Sequence, residues 1–140
     1  MKRTANAQWQ GDLKTGHGSL TTQSRVLDKT QYSFHTRFAD GIGTNPEELI
    51  AAAHAGCFTM ALAYAISQKG LQADELNTTA VVSLDMATSS INLIELSLNA
   101  TIIDGLSKEA FDEIAFEAKK HCVISKALAG IDIQLTVNYQ

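Results

Sequence analysis

The two cysteines of the sequence, Cys57 and Cys122, are the residues with the clearest capacity for chemistry. Cys57 lies in the most apolar segment of the chain, from Leu49 to Ile66, which is predicted to be a helix. A free cysteine in such a place often serves only as a small packing residue. Burial also raises the pKa of a thiol, and the middle of a helix gives no help from a helix N-terminus. Cys57 therefore acts as a nucleophile only if a positive charge lies nearby.

Arg37 and Glu47 are the charged residues that could complete a site around Cys57. Arg37 lies near the end of a predicted strand, where an ordinary surface position is the alternative. Glu47 lies in the first turn of the predicted helix, where acidic residues are generally favoured. Along an unbroken helix, Glu47 and Cys57 are about 15 Å apart and roughly 80° apart around the axis. A site that uses both residues must therefore be completed across a dimer interface.

Cys122 ends a second predicted helix, directly after Lys119-Lys120-His121, where cations complement the helix dipole. Two cysteines define one possible pairing but do not establish it. A metal site is the competing interpretation, because His54 precedes Cys57 by three residues and His121 adjoins Cys122. Adjacent helical residues point about 100° apart, and neither CxxC nor HExxH is present. We therefore predict no metal site.

Composition excludes several classes of protein. The 140 residues suit one domain, predicted to span residues 1–140. The net charge of −4 and the scattered basic residues argue against a nucleic-acid partner. No apolar run follows Lys2-Arg3, so no export signal is predicted and the expected location is the cytoplasm, where disulfides are transient. The segment from Leu49 to Ile66 is marginal in length for a membrane span and is predicted to be a core helix, with no membrane partner.

Hydrophobic periodicity and turn residues predict an α+β fold with antiparallel strands packed against helices. The N-terminal half is predicted to hold three antiparallel strands and a long central helix with Asn45 as its N-cap: Ala5–Gln10, Ser19–Ser24, Tyr32–Phe38 and a helix ending at Lys69 before Gly70. The C-terminal half is predicted to hold a second strand set, a helix capped by Ser107, a short turn capped by Ser125, and a last strand: Leu76–Asp85, Ile91–Ile103, Ser107–Cys122, Ser125–Gly130 and Ile131–Tyr139. The central helix is apolar nearly all round, and burial by a second copy of the chain is the expected solution.

Two segments of the chain resemble a known family. Thr36-Arg37-Phe38 and the stretch from Gly43 to Phe58, which contains Asn-Pro-Glu ten residues before Cys57, are similar to the signature of the OsmC/Ohr family. This family comprises osmotically inducible proteins and organic hydroperoxide resistance proteins. The resemblance extends over nearly the whole chain and is closer to the OsmC branch.

The resemblance implies an OsmC-like fold, an intertwined homodimer and two active sites at the subunit interface. It implies that Cys57 is the peroxidatic cysteine and Cys122 its resolving partner, that Arg37 holds the thiolate, and that Glu47 orients Arg37. It also implies an external dithiol reductant, such as a dihydrolipoyl group, and no bound cofactor. Val123 departs from the family pattern, in which proline often follows the second cysteine.

The resulting expectation is a thiol-dependent peroxidase that reduces organic hydroperoxides to alcohols through a Cys57 sulfenic acid and a Cys57–Cys122 disulfide. An apolar lining that includes Ile50, Phe58 and Met60 would favour alkyl peroxides. Two alternatives stay open on the sequence. The first is a thiol-disulfide oxidoreductase acting on proteins, and the second is a non-catalytic dimeric ligand-binding domain in which Cys57 only packs.

Overall fold

Three short antiparallel strands open the chain in the computed structural model, which describes residues 1–140. They are β1 (Ala5–Gln10), β2 (His17–Thr22) and β3 (Thr30–Tyr32), and they form a sheet in that order. Both pairings are antiparallel, so the predicted N-terminal meander is confirmed. The chain forms two compact units, Met1–Leu49 and Ile50–Gln140. A single domain over residues 1–140 stays a prediction.

The predicted strand from Tyr32 to Phe38 is wrong beyond its first residue. Helix α1 (Phe34–Phe38) takes its place, and Ser33 is the N-cap. The Ser33 hydroxyl accepts a hydrogen bond from the Thr36 N–H at 3.2 Å, and the Ser33 N–H donates to the Thr36 hydroxyl at 2.8 Å. This reciprocal capping box starts a helix locally, and it outweighs the alternation of aromatic residues that favoured a strand.

The long central helix α2 (Pro46–Ser67) begins where the sequence predicts. The Asn45 side-chain oxygen accepts a hydrogen bond from the Glu48 N–H at 2.8 Å, as an N-cap does. Pro46 occupies the first helical position, where its missing N–H costs nothing. The helix ends slightly before the predicted Lys69, and Gly70 then takes a left-handed conformation with φ 72°.

The sides of helix α2 differ in their surroundings. Four residues spaced by four are buried: His54, Phe58, Leu62 and Ile66. Elsewhere on the helix, Met60 is 76% exposed and Tyr64 is 66% exposed. An 18-residue window of this 22-residue helix has a mean hydropathy of 1.7, so by length and composition alone it could cross a membrane, a test that the core helix of a water-soluble protein also passes. The exposed residues are apolar rather than charged, so this helix is not covered by one chain.

A second sheet organises the unit from Ile50 to Gln140. Its strands are β4 (Leu76–Asp85), β5 (Ser90–Ala100) and β6 (Asp132–Tyr139), in that order. The β4–β5 pair is antiparallel, as predicted, whereas β6 runs parallel to β5. Two helices, α3 (Lys108–His121) and α4 (Val123–Ala127), connect β5 to β6. A connection that includes a helix is what parallel neighbours require, because a tight hairpin turn cannot join them.

The core of this unit lies between the sheet and the helices. The buried side chains come from α2, β5, α3 and their connections and include Phe58, Leu62, Ile94, Leu96 and Phe111. The hydroxyl of Ser107 accepts a hydrogen bond from the Ala110 N–H at 3.3 Å, which confirms its predicted role as N-cap of α3. Ser125 does not cap a helix as predicted, because it lies inside α4, and Cys122 occupies the N-cap position.

Tyr139 fixes the loop between β5 and α3. Its hydroxyl accepts a hydrogen bond from the Ile103 N–H at 2.7 Å and lies 3.1 Å from the Leu106 carbonyl oxygen, to which it can donate. Its ring stacks on Phe111 with the centroids 4.1 Å apart. These contacts join the end of the last strand to the start of helix α3.

We predict that Tyr139→Phe lowers the free energy of unfolding by about 1–3 kcal/mol, because it leaves the buried Ile103 N–H without its acceptor. Urea denaturation followed by circular dichroism measures this change. Tyr32→Phe is the matched control, since the Tyr32 ring packs against Trp9 and the substitution keeps that ring. Equal stability of the two variants would contradict the role assigned to the Tyr139 hydroxyl.

Candidate active site

The structure brings the two cysteines together. The sulfur atoms of Cys57 and Cys122 are 3.1 Å apart, and both residues are free thiols. A disulfide is about 2.05 Å long, so the sulfurs are unbonded but close enough for a bond to form with a small movement. Cys57 is partly exposed, whereas Cys122 is only 1% exposed. One cysteine is therefore partly accessible from solvent, and the other is buried.

Cys122 is held at the junction of two helices. It is the C-cap of α3 and the N-cap of α4, with backbone angles of φ −57° and ψ 125°. Its N–H donates to the Ala118 carbonyl at 2.8 Å, and its carbonyl accepts from the Lys126 N–H at 3.0 Å. Because both backbone groups are used, the side chain has a fixed starting direction toward α2.

Burial raises the pKa of Cys57 above its usual value. The neighbouring Cys122 side chain acts in the same direction, whereas hydrogen bonding from the backbone of Ile124 and Val123 opposes it. The direction agrees with the sequence argument that a cysteine in the middle of a helix needs an external positive charge. Val123 stands where the family often has proline. Because proline has no N–H, it could not donate the backbone hydrogen bond by which Val123 lowers the pKa of Cys57.

The environment of Cys122 has the opposite net effect. Burial acts to raise its pKa, but hydrogen bonding from the backbone and hydroxyl of Ser125, from Cys57 and from the backbone of Ile124 outweighs burial, so the pKa lies below its usual value. When two thiols interact this closely, the proton that remains after the first ionisation is shared by the pair. Within this unit, the negative charge is favoured on Cys122.

Arg37 and Glu47 form a second close pair, within the unit from Met1 to Leu49. Arg37 Nη2 donates to Glu47 Oε1 at 2.8 Å, and Arg37 Nε lies 3.2 and 3.3 Å from the two carboxylate oxygens. The Glu47 side chain is 13% exposed and that of Arg37 is 40% exposed. The guanidinium carbon also lies 5.1 Å from the centroid of the Phe38 ring. A forked contact of this kind fixes the plane of a guanidinium group.

An apolar pocket of about 300 Å³ adjoins Arg37 in the same unit. It is lined by aromatic and other side chains, namely Trp9, Leu13, Tyr32, Ser33, Phe34, Arg37, Phe38 and Pro46. The sequence does not predict this pocket, because residues 32–38 alternate as a strand does. The prediction that Phe58 lines the substrate pocket is wrong, because its side chain is completely buried in the core.

Two polar residues near the cysteines were not predicted to belong to a site. His54 Nε2 lies 2.8 Å from the Ser125 hydroxyl, and both residues are buried. The sequence suggests a role for His54 only as a metal ligand, and no group of three or more His, Cys, Asp or Glu side chains in residues 1–140 could hold a metal ion. Spacing is the one sequence signal that could have indicated them, because His54 lies three residues before Cys57 and Ser125 lies three residues after Cys122.

The family described as OsmC-like protein matches residues 39–136. The chain belongs to the OsmC family. Its similarity to the peroxiredoxin OsmC of Escherichia coli strain K12 is 39% identity over 139 residues, which covers 99% of this chain and 95% of that protein. An organic hydroperoxide resistance protein-like protein of Staphylococcus aureus strain MSSA476 is 34% identical over 123 residues, covering 86% of each chain.

Solved structures of the OsmC family have the same fold. The organic hydroperoxide resistance protein from Elizabethkingia anophelis superposes with a TM-score of 0.73 at 26% identity, covering 100% of this chain and 99% of that one. The predicted family and its α+β fold are therefore confirmed. The long central helix and the two strand sets have the predicted order along the chain.

Proposed function

We propose that this chain is a cytoplasmic cysteine-based peroxidase that reduces organic hydroperoxides to alcohols. The observation that carries the proposal is the 3.1 Å separation of a partly exposed Cys57 sulfur and a buried Cys122 sulfur. This arrangement suits a peroxidatic thiol that meets the substrate and a resolving thiol that waits behind it. The names of its relatives, a peroxiredoxin and an organic hydroperoxide resistance protein-like protein, support the same chemistry.

The proposed cycle has three steps. The Cys57 thiolate attacks the distal oxygen of the hydroperoxide, the O–O bond breaks, and the alcohol leaves after taking a proton. Cys122 then attacks the Cys57 sulfenic acid, which forms the disulfide and releases water. An external dithiol, such as a dihydrolipoyl group, opens the disulfide by exchange and is itself oxidised to a disulfide. No bound cofactor takes part in any step.

Arg37 is proposed to supply the positive charge that Cys57 needs. The forked contact with Glu47 holds the guanidinium group in one orientation, and this supports Glu47 as the positioning residue. A cation beside Cys57 would move the negative charge of the cysteine pair from Cys122 to Cys57, since an opposite charge favours the ionised form.

A second copy of the chain is proposed to complete each site. Helix α2 exposes apolar side chains, among them Met60 and Tyr64, and a second copy would bury them. Glu47 and Cys57 lie ten residues apart on that helix, which corresponds to about 15 Å along its axis. In the proposed homodimer, the Arg37–Glu47 pair of one copy serves the cysteine pair of the other.

We predict that an equimolar amount of cumene hydroperoxide removes both titratable thiols of the reduced protein, because the sulfenic acid formed at Cys57 condenses with Cys122. In Cys122→Ser, the sulfenic acid should persist and react with a dimedone probe. Thiol titration and mass spectrometry measure both outcomes. Cys57→Ser is the control and should consume no peroxide.

The two alternatives give different results in the same experiment. If both thiols survive while the peroxide persists, Cys57 packs only and the chain is a ligand-binding domain. If a disulfide forms only after addition of an oxidised protein substrate, the chain is a protein thiol-disulfide oxidoreductase. Either result would reject the peroxidase.

We predict that co-expression of Arg37→Ala and Cys57→Ser chains restores activity that neither variant has alone. With random pairing, about half of the dimers are heterodimers. In each heterodimer one site carries both defects and the other site is intact, so about a quarter of wild-type activity should return. Sites completed within one copy would each retain a defect. No recovery in isolated heterodimers would therefore reject completion of the site across the dimer.

We predict a preference for aromatic and alkyl hydroperoxides over hydrogen peroxide, because the pocket beside Arg37 presents mainly apolar surface. Burial of a cumyl group should raise kcat/KM by about tenfold or more relative to hydrogen peroxide. Steady-state kinetics with a dithiol reductant compare the two substrates. Equal kcat/KM values for cumene hydroperoxide and hydrogen peroxide would contradict this substrate class.

A further inference from the structure

The buried contact between His54 and Ser125 has no part in the cycle described above. His54 is completely buried, Ser125 is 8% exposed, and the His54 Nε2 atom lies 2.8 Å from the Ser125 hydroxyl oxygen. The Nδ1 atom of His54 has no hydrogen-bond partner. A buried ring with an unpaired nitrogen costs free energy, and an apolar pair of similar shape can be equally stable. The hydrogen bond therefore calls for an explanation other than the stability of the core.

Helix α4 has few other attachments to the core. It has five residues, and Ser125 is the only one of them that is buried. Ile124 packs against the core but is only partly buried, and Val123 is 70% exposed. A helix of little more than one turn is not stable by itself. The position of α4 therefore depends strongly on the contact that Ser125 makes.

This hydrogen bond lies beside the sulfur contact. His54 precedes Cys57 by three residues on helix α2, and Ser125 follows Cys122 by three residues. Helical residues three apart lie on the same side of the helix. The Cys122 carbonyl accepts a hydrogen bond from the Lys126 N–H at 3.0 Å, which ties Cys122 to the same turn as Ser125. The hydrogen bond and the 3.1 Å sulfur contact are therefore two neighbouring bridges between the same two segments.

The His54 ring is neutral in this environment. Burial lowers its pKa, and the positive charge of Lys119 lowers it further. A neutral imidazole carries one proton, and a hydroxyl group can donate or accept. Nε2–H donates to the Ser125 oxygen in one tautomer, and the Ser125 hydroxyl donates to Nε2 in the other. The contact is a hydrogen bond in either tautomer, and it joins α2 to α4 without using a charge.

We propose that His54 and Ser125 are positioning residues whose hydrogen bond, the His54–Ser125 clamp, holds α4 and with it Cys122 against Cys57. The proposal rests on the function above, because it assigns two residues to the resolving step. A disulfide of about 2.05 Å has to form between sulfurs that are 3.1 Å apart. A small displacement of α4 therefore changes how often the two sulfurs meet in a productive geometry.

Resolution competes with a second oxidation of Cys57. In resolution, the Cys122 sulfur bonds the Cys57 sulfenic sulfur, the S–O bond breaks, and the hydroxyl leaves as water with the Cys122 thiol proton. In the competing reaction, a second hydroperoxide transfers an oxygen atom to the sulfenic sulfur, which gives a sulfinic acid and a second alcohol. A dithiol does not return the sulfinic acid to the cycle. A clamp that speeds resolution therefore protects Cys57.

The equilibrium between the two thiols and their disulfide tests the clamp without any peroxide. The reduced protein is titrated with glutathione mixtures, in which one oxidised glutathione yields the protein disulfide and two reduced glutathiones. Ser125→Ala should lower the equilibrium constant about fivefold, because a buried hydrogen bond contributes about that factor. His54→Leu should act in the same direction. His54→Gln keeps an amide donor near the Nε2 position and should restore much of the constant.

Single-turnover kinetics separate the clamp from a general loss of structure. Dimedone trapping follows the sulfenic acid, and mass spectrometry measures sulfinic acid at Cys57 after an excess of cumene hydroperoxide. In Ser125→Ala the first step should keep its wild-type rate, whereas resolution should slow about fivefold and sulfinic acid should increase. A damaged fold would slow both steps.

Thr59→Val is the matched control. The Thr59 hydroxyl is also on helix α2 but bonds the Ala55 carbonyl and the Thr78 hydroxyl, at 2.8 Å each, so this change should leave the equilibrium constant unchanged. The double variant His54→Leu with Ser125→Ala replaces the polar pair by apolar side chains. It should keep the stability of the core and still show the lower constant, and thermal melts check that each variant folds.

A wild-type equilibrium constant in folded Ser125→Ala would overturn the proposal. The double variant decides in the same way if Ser125→Ala does not fold. A lowered constant, together with a wild-type protein that consumes no peroxide, would instead reject the proposed function and leave the clamp standing.

Discussion

The packing of helix α2 against the second sheet and helices α3 and α4 is the contact on which the cysteine pair depends. Phe58, Leu62 and Ile66 enter the core on one side of the helix, and this fixes the rotation of α2 about its axis. With that rotation fixed, Cys57 lies at the edge of the buried side, where it is partly exposed and still reaches Cys122. A rotation of one residue, about 100°, would move its sulfur out of reach.

The same packing sets a conflict between burial and charge. Cys122 is buried and Cys57 is partly buried, which opposes ionisation of both thiols, yet the proposed chemistry needs a thiolate on each of them at different stages. For Cys122, hydrogen bonding in the first turn of α4, that of Ser125 foremost, lowers the pKa below its usual value despite burial. For Cys57, only the backbone of Ile124 and Val123 acts in this direction, and these groups do not offset burial. This difference supports the proposal that a separate cation acts at Cys57 and not at Cys122.

Sequence patterns predicted the elements whose signals are local. Asn45 and Ser107 are N-caps because of hydrogen bonds to residues three positions later, and the last strand alternates from Ile133 to Tyr139 because one face of β6 is buried. The strand prediction for Phe34 to Phe38 is wrong because two local signals compete there. The capping box favours a helix, and the alternation of aromatic residues favours a strand. The parallel pairing of β6 with β5 could not be predicted from the sequence of β6. Alternation shows which face of a strand is buried, but it does not show which strand lies beside it or in which direction.

For a related reason, the sequence predicts only some of the residues of the candidate site. Spacing and family resemblance predict Cys57, Cys122, Arg37 and Glu47 as site residues, whereas the contact of His54 with Ser125 is seen only when α2 and α4 lie side by side. Cys57 and Cys122 are 65 positions apart, with strands β4 and β5 and helix α3 between them, so no local pattern relates their neighbours.

Two unmet needs of the chain have one physical solution. Helix α2 presents Met60 and Tyr64 to solvent, although burial of such side chains is favourable by about 1.5–3 kcal/mol each. No cation within its own unit lowers the pKa of the partly buried Cys57. A second copy packed along α2 would cover the apolar side chains and could bring an oriented guanidinium group at the same time. In the proposed arrangement Cys57 gains a cation only on assembly, so the reactivity of the proposed peroxidatic thiol would depend on formation of the dimer.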